Sequence, residues 1–282
     1  MSGRILLVGA TGFLGSYVAA RLAPRNPVAL VRPSSERRVL PAGLEVRVGD
    51  LSAPLALDDV DTIVYCASMG FGHVPPLVRQ LEASDVRRAL FVSTTAIFTS
   101  LRTASRSVRL EAEAAVMGSA LEWTIVRPTM IYGSARDRNI SRLLRFLRRW
   151  QVFPVCGDGL WQPIYVEDLA AGIVAALDST ASVNKAYNLA GAAPLRFSEL
   201  VRTSAAAVGR PVLLVRVPLR TLEVAARLTR LVTPEQVRRL AEDKACSYAD
   251  AARDFGFAPR SFAEGVQLEA RALGLAPASR ST

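Results

Sequence analysis

The segment "RILLVGATGFLGSYVAARLA" near the start of the chain constrains the fold more than any other. The apolar run from Ile5 to Val8 ends in glycine. Three glycines follow at three-residue spacing, Gly9, Gly12 and Gly15, and apolar residues then recur at helical intervals. A short apolar run that turns on glycine straight into a helix reads as the start of a βαβ unit. Each glycine has its own task. Gly9 permits a tight turn, Gly12 lets backbone N–H groups approach a phosphate group, and Gly15 lets the helix lie close to the strand. The helix N-terminus turns its unpaired N–H groups and partial positive charge toward the same place. The turn therefore predicts a pyrophosphate seat, with Thr11, Phe13 and Leu14 in its wall.

The pattern repeats along the first half. "PVALVR", "LEVRVGD", "DTIVYCAS", "RALFVST" and "LEWTIVRP" read as strands two to six, with helical segments at about 75–84 and about 103–118. Strands alternating with helices predict an α/β fold: a doubly wound parallel sheet of Rossmann type, covered on both faces. Ligands of such sheets bind at the carboxyl ends of the strands. After Pro128 the pattern changes. "ISRLLRFLRRW" is an amphipathic, Arg-rich helix, and "VCGDGLWQP" is a turn-rich connector. "VEDLAAGIVAALDS" is a helix with an acidic first turn, "KAYNLAG" a short strand ending in a turn, and "RFSELVRTSAAAVG" a helix stopped by Gly209. The chain from about 218 is mostly helical with proline breaks. The expected division is a core over 1–128, with a later strand added from about 183–190. A small, mostly helical lobe over 129–275 interleaves with it and closes the pocket, and 276–282 form a disordered tail.

Composition narrows the classes. Half of the 282 residues are hydrophobic, enough for a sizeable core. No run of about 18 apolar residues predicts a membrane-spanning helix. The N-terminus "MSGRILLVGATG" does not read as a signal peptide. Cys66, Cys156 and Cys246 show neither metal nor disulfide spacing, which fits a reducing cytoplasm, and the single His73 builds no metal site. The net charge is +10, carried almost wholly by arginine, since Lys185 and Lys244 are the only lysines. One reading of these arginines is a GC-rich genome, whose codons favour arginine. An anionic ligand, or weak contact with an acidic membrane surface, is the functional reading. No basic stripe with interleaved aromatics points to nucleic acid.

The glycine spacing, together with later motifs in order, resembles the short-chain dehydrogenase/reductase superfamily in its extended and atypical, epimerase/dehydratase-like branches. "GDLS" resembles the loop after strand three, where Asp50, followed by Leu51, would touch the adenine amine. "YCAS" resembles the loop after strand four and implies Ala67 and Ser68 along the cofactor. "FVSTTAIF" resembles the end of strand five, with Ser93 at the cofactor and Thr94 at the catalytic Ser/Thr position. "RPTMIYG" resembles the segment beside the nicotinamide, with Pro128 lining it. "QPIYVEDLA", "YNLAG" and "FSELV" resemble the later segments of nucleotide-sugar epimerases and dehydratases. The resemblance implies a nicotinamide dinucleotide, a small anionic substrate and a homodimer through the helices after strands four and five. Where an NAD enzyme carries an acid after strand two, this chain has Arg32, then Ser34 and Ser35, with Arg37 and Arg38 beyond. That favours NADP(H), with a guanidinium on the 2′-phosphate, and leaves NAD(H) open.

One feature departs from the family. Its reaction centre is Tyr-x-x-x-Lys on the helix after strand five, yet no Tyr or Lys occurs between Ser93 and Met130. Aligning "LEAE" in "SRSVRLEAE" puts Ser105 at the Tyr position and Arg109 at the Lys position. Arg109 can hold the nicotinamide ribose but cannot release its proton at working pH. Ser105 has no base beside it in sequence. Three outcomes stand. The proton comes from Thr94 with water or from Tyr132; the reaction needs only hydride, as for an activated C=C or C=N bond; or the chain binds cofactor without turnover, as a sensor or assembly factor.

Overall fold

The computed structural model describes residues 4–99, 104–218 and 243–277. It divides into two compact units. The first holds Met1–Pro128, Glu167–Leu189 and Ser247–Ala258; the second holds Thr129–Val166, Ala190–Cys246 and Pro259–Thr282. Residues 219–242, within the C-terminal stretch expected to be helical, and 278–282 of the expected tail lie outside the described residues.

The first unit is built on seven parallel strands: β1 (Ile5–Val8), β2 (Val28–Val31), β3 (Glu45–Val48), β4 (Thr62–Tyr65), β5 (Arg88–Val92), β6 (Glu122–Pro128) and β11 (Lys185–Leu189). Their order is β11-β6-β5-β4-β1-β2-β3, so the connections reverse direction between β1 and β4. β1 and β2 are wholly buried, which is why they read as unbroken apolar runs. β3 is one of the two edge strands and carries Glu45 and Arg47, charges that blunt an open edge. Helices α1 (Phe13–Leu22), α2 (Val74–Glu82), α3 (Ala104–Met117), α5 (Val166–Asp178) and α7 (Ala249–Phe255) belong to these connections. α2 opens with proline in its first turn, where the missing N–H costs nothing. Leu6, Val8, Ile63, Phe91 and Ile125 meet Leu77, Leu81, Ala112 and Val116 in one core.

Two polar knots fasten the outer strands. Arg88 donates to Thr124 Oγ1, Ser182 Oγ and the carbonyls of Glu122 and Ala176, tying β5 to β6 and to the end of α5. Burial pushes its guanidinium below the usual range, a cost these acceptors offset. On β11, the Tyr187 hydroxyl and Lys185 Nζ donate to Asp254 of α7 at 2.7 and 2.9 Å. Those bonds, with Arg253, hold the Asp254 carboxyl well below the usual carboxylate range.

The second unit packs α4 (Ile140–Arg149), α6 (Phe197–Ala207) and α8 (Phe262–Ala272) around Leu144, Leu147, Leu200, Val201 and Val266. Ser261 and Glu264 cap α8 reciprocally. Three two-stranded ribbons accompany the helices: β7 (Ile131–Tyr132) with β10 (Ile164–Tyr165), β9 (Leu160–Trp161) with β12 (Leu195–Arg196), and β8 (Val152–Val155) with β13 (Leu213–Arg216). The segment read as a turn-rich connector thus contains three residues of strand, Val155 at the end of β8 and Leu160 and Trp161 in β9.

Candidate cofactor site

The glycine turn leaves no room for side chains at two of its three positions. Gly9 has φ +79°, and a β-carbon there would lie 2.7 Å from the Ala67 amide nitrogen. A β-carbon on Gly15 would lie 2.0 Å from the Gly9 carbonyl oxygen, so α1 begins pressed against the turn itself. Gly12 differs: its φ of −67° suits any residue. It stands at the N-cap of α1 and offers no side chain to cap the helix. The first-turn N–H groups of Phe13 and Leu14 thus keep their affinity for an anion. The Leu14 side chain is buried, so that residue contributes backbone only. Thr11 is half-buried within the turn.

The loops after the neighbouring strands gather at the same edge. Cys66 N donates to Val8 O, which brings Ala67 beside the turn. Ser68 Oγ accepts from Gly70 N and shapes the loop after β4. Asp50 Oδ1 accepts from Ser52 N at 2.9 Å and Ser52 Oγ at 2.7 Å, and Leu51 beside it is half-buried. These bonds, with His73 and Arg32 nearby, hold the Asp50 carboxyl below its usual range. Arg32 and Ser34 are exposed after β2, in a turn closed by Ser35 N on Arg32 O. Arg38 pairs with Glu36, so that arginine has its own counter-ion.

At the end of β5, Ser93 N donates to Val126 O, while its hydroxyl is buried without a partner. An orphaned buried hydroxyl is uncommon and fits a ligand atom as its missing partner. Thr94 is half-buried and its Oγ1 accepts from Ala96 N at 3.2 Å. Thr95 Oγ1 donates to the carbonyl of buried Pro128 at 3.2 Å, locking this loop to the end of β6. On α3, Arg109 Nη1 donates to Ser105 O, and its guanidinium lies over Gly70, 3.3 Å from where a β-carbon would stand. Arg109 thereby meets the loop after β4, at the sheet's carboxyl edge.

Three groups escaped the sequence reading. Ser52 orients Asp50, Thr95 anchors the Thr94 loop, and Glu113 on α3 accepts a bidentate contact from Arg127 on β6 at 2.5–3.1 Å. Glu113 is only 2 % exposed. The signal for the last was present: an arginine inside the apolar run "TIVRP" needs an acid on the helix that covers it.

Tyr132 belongs to the second unit. It is 1 % exposed in the core of the second unit, its ring 5.5 Å from Tyr165 and 5.3 Å from Phe262. Its hydroxyl lies where a β-carbon on Gly265 would fall, which is the geometry of a packing residue. Burial pushes the Tyr65 phenol and the Cys66 thiol each up to about 12, so neither ionises near neutrality. Among the described residues no group of His, Cys, Asp or Glu is arranged to hold a metal, and no helix is long and apolar enough to cross a membrane.

The residues of the first unit therefore fit a dinucleotide: a cradle that a β-carbon would fill at Gly9 and Gly15, an uncapped helix start, and the orphaned Ser93 hydroxyl. Comparison with known proteins agrees. The model of the NAD(P)H-binding family matches residues 9–180. The chain is 31% identical over 222 residues to "NADH dehydrogenase [ubiquinone] 1 alpha subcomplex subunit 9, mitochondrial" of Arabidopsis thaliana, covering 68% of this chain and 54% of that protein. The chain thus spans about half the length of that plant relative. It is 28% identical over 232 residues to "(4-alkanoyl-5-oxo-2,5-dihydrofuran-3-yl)methyl phosphate reductase" of Streptomyces griseus, covering 73% of this chain and 74% of that one. Among solved structures, UDP-glucuronic acid 4-epimerase from Bacillus cereus, in complex with UDP-glucuronic acid and NAD, superposes with a TM-score of 0.76. Its identity is 15%, over 96% of this chain and 99% of that one, and the likeness shows a shared fold. From the glycine turn through α5, the chain belongs to the NAD(P)H-binding family, within the epimerase/dehydratase-like extended short-chain dehydrogenase/reductase superfamily.

Proposed function

We propose that this protein is an NADP(H)-dependent oxidoreductase that moves hydride to or from an anionic small molecule without a Tyr/Lys proton carrier. The observation that carries the reading is the pairing of a glycine turn closed to β-carbons at Gly9 and Gly15 with a helix α3 that holds no Tyr or Lys. When bound, the nicotinamide supplies the hydride. Gly9, Gly12, Gly15 and the first turn of α1 hold the pyrophosphate, Asp50 meets the adenine, and Arg32 with Ser34 takes the 2′-phosphate. Arg109 holds the nicotinamide ribose, as a fixed cation rather than an acid.

An acceptor whose carbonyl group delocalises charge suits this set of residues. Hydride adds to the far carbon of a C=C bond conjugated to a carbonyl, and the near carbon then takes its proton from water. Thr94 Oγ1 already accepts from Ala96 N, and its own proton is free to bond the carbonyl oxygen as negative charge grows there. The name of the Streptomyces relative's substrate describes such a ring C=C bond flanked by carbonyl groups, with a phosphate attached. An anionic unsaturated carbonyl compound is accordingly the acceptor class we assign.

A second reading, cofactor binding without turnover, is favoured by the plant relative, which is named as a subunit of a larger dehydrogenase. A screen of NADPH oxidation against enones, imines, aldehydes and ketosugars, with and without phosphate, separates the two. Oxidation with phosphate-bearing enones is the expected result. Tight NADPH binding with no oxidation by any acceptor overturns the enzyme reading in favour of the second.

A further inference from the structure

One face of the second unit is apolar and basic at once. β8 and β13 run side by side, Leu213 opposite Val152 and Val215 opposite Pro154. Side chains alternate across a strand, so Phe153, Val155 and Leu214 turn into the unit's core while Val152, Pro154, Leu213 and Val215 stand together outside. Val152 is 50% exposed and Leu213 64%. Trp150, closing α4 at 54% exposure, and Phe146 one turn before it extend the strip. Of the eleven large hydrophobic residues exposed among the described ones, five lie here, so this is a patch rather than scatter.

The charge on this face has one sign. Residues 140–155 and 210–215 contain Arg142, Arg145, Arg148, Arg149 and Arg210 and no Asp or Glu. Arg149 sits 5.6 Å from the centre of the Trp150 ring, and Arg210 Nε donates to the backbone carbonyl of Arg148 at the end of α4, which keeps the Arg149 and Arg210 cations beside the apolar strip. A second copy of the chain is a poor occupant, because a two-fold contact would set the same arginines against each other. Branched aliphatics and an indole rimmed by guanidinium groups match the boundary of a bilayer. The apolar groups enter between headgroups and acyl chains, and the cations meet phosphate.

We propose that this face docks on a bilayer surface carrying anionic phospholipid. Flotation of the full chain with vesicles tests it, using phosphatidylcholine alone or mixed with phosphatidylglycerol. The chain is expected to float with the mixed vesicles and not with the neutral ones. Trp150→Ala with Leu213→Ser, and separately Arg148→Gln with Arg149→Gln, are expected to weaken binding by at least about tenfold each, with unchanged thermal melting. Arg79→Gln with Arg87→Gln removes the same charge from exposed positions of the first unit and is expected to leave flotation near wild type. No flotation with mixed vesicles overturns the proposal. So does an apolar pair without effect, or a control pair that weakens binding as much as the Arg148/Arg149 pair. Two further results overturn it: a dimer in sedimentation that the same variants dissolve, and retention on polyglutamate that depends on these residues without flotation.

Discussion

Gly15 and Gly12 sit three residues apart and are expected to fail in different ways. A β-carbon on Gly15 meets the Gly9 carbonyl oxygen at 2.0 Å, so Gly15→Ala must shift the turn or the helix. The expected cost is about 1–3 kcal/mol of stability, read by urea unfolding, with NADPH binding weakened alongside. Gly12 has ordinary dihedrals, and a β-carbon there would lie 3.0 Å from the Gly9 carbonyl oxygen, so Gly12→Ala is milder than Gly15→Ala while Gly12→Asp brings a carboxylate to the pyrophosphate. We expect Gly12→Asp to weaken NADPH by about 100-fold or more in titration calorimetry, since like charges placed together cost several kcal/mol. Undiminished binding there would remove the pyrophosphate seat from this turn. A different residue sets the pH response. Burial first, and the Asp137 carboxylate second, push Glu269 up to about 10, with Arg145 acting in the opposite direction. Asp137 accepts from Asn139 N and Ser141 N, which fixes its carboxylate in place. The folded value lies above the unfolded one of 4.5, so the contribution is full below that pH and lost as pH rises toward 10. Stability should fall between those limits with a slope of at most about 1.4 kcal/mol per pH unit, and Glu269→Gln should flatten the curve.

At the scale of elements, α3 is fastened to β6 by the Glu113–Arg127 contact. Arg127→Met leaves a buried carboxylate alone and is expected to cost about 3–5 kcal/mol, most of it recovered when Glu113→Gln is added. Urea unfolding of the two single variants and the double measures the coupling; equal losses in all three contradict it. The elements also show what the sequence could express. β1 and β2 are unbroken apolar runs flanked by glycine or proline, and β4 and β5 are apolar after their first residues, Thr62 and Arg88; such runs read directly as buried strands. The ribbons of the second unit do not. β7, β9, β10 and β12 are two residues each, too short for any period, and β8 contains Pro154. The close turn from β1 into α1 was legible because its glycines fall between an apolar run and a helical period. The roles of Ser52, Thr95 and Glu113 were not, because each depends on how a loop or strand end meets its neighbour. For Tyr132 the short segment "MIYG" names a position but says nothing of burial, and the fold puts the ring in a core.

For the whole molecule, the account joins a cationic cofactor edge to a reaction that asks little of acid–base chemistry. Arg32 is exposed at the end of β2, and the proposed function puts the 2′-phosphate on it. NADPH should therefore bind more tightly than NADH by about tenfold, and Arg32→Ser should remove that difference by weakening NADPH alone. Equal dissociation constants in the unaltered protein would contradict the preference. The central claim is that hydride moves from this seat although α3 carries no proton donor of the usual kind. Its most direct test is a single turnover with NADPH deuterated at the transferring position of nicotinamide C4, mixed with phosphate-bearing unsaturated carbonyl compounds. The account predicts deuterium on the carbon β to the carbonyl and a rate that stays flat with pH across neutrality. Bound NADPH that keeps its deuterium with every acceptor would contradict it.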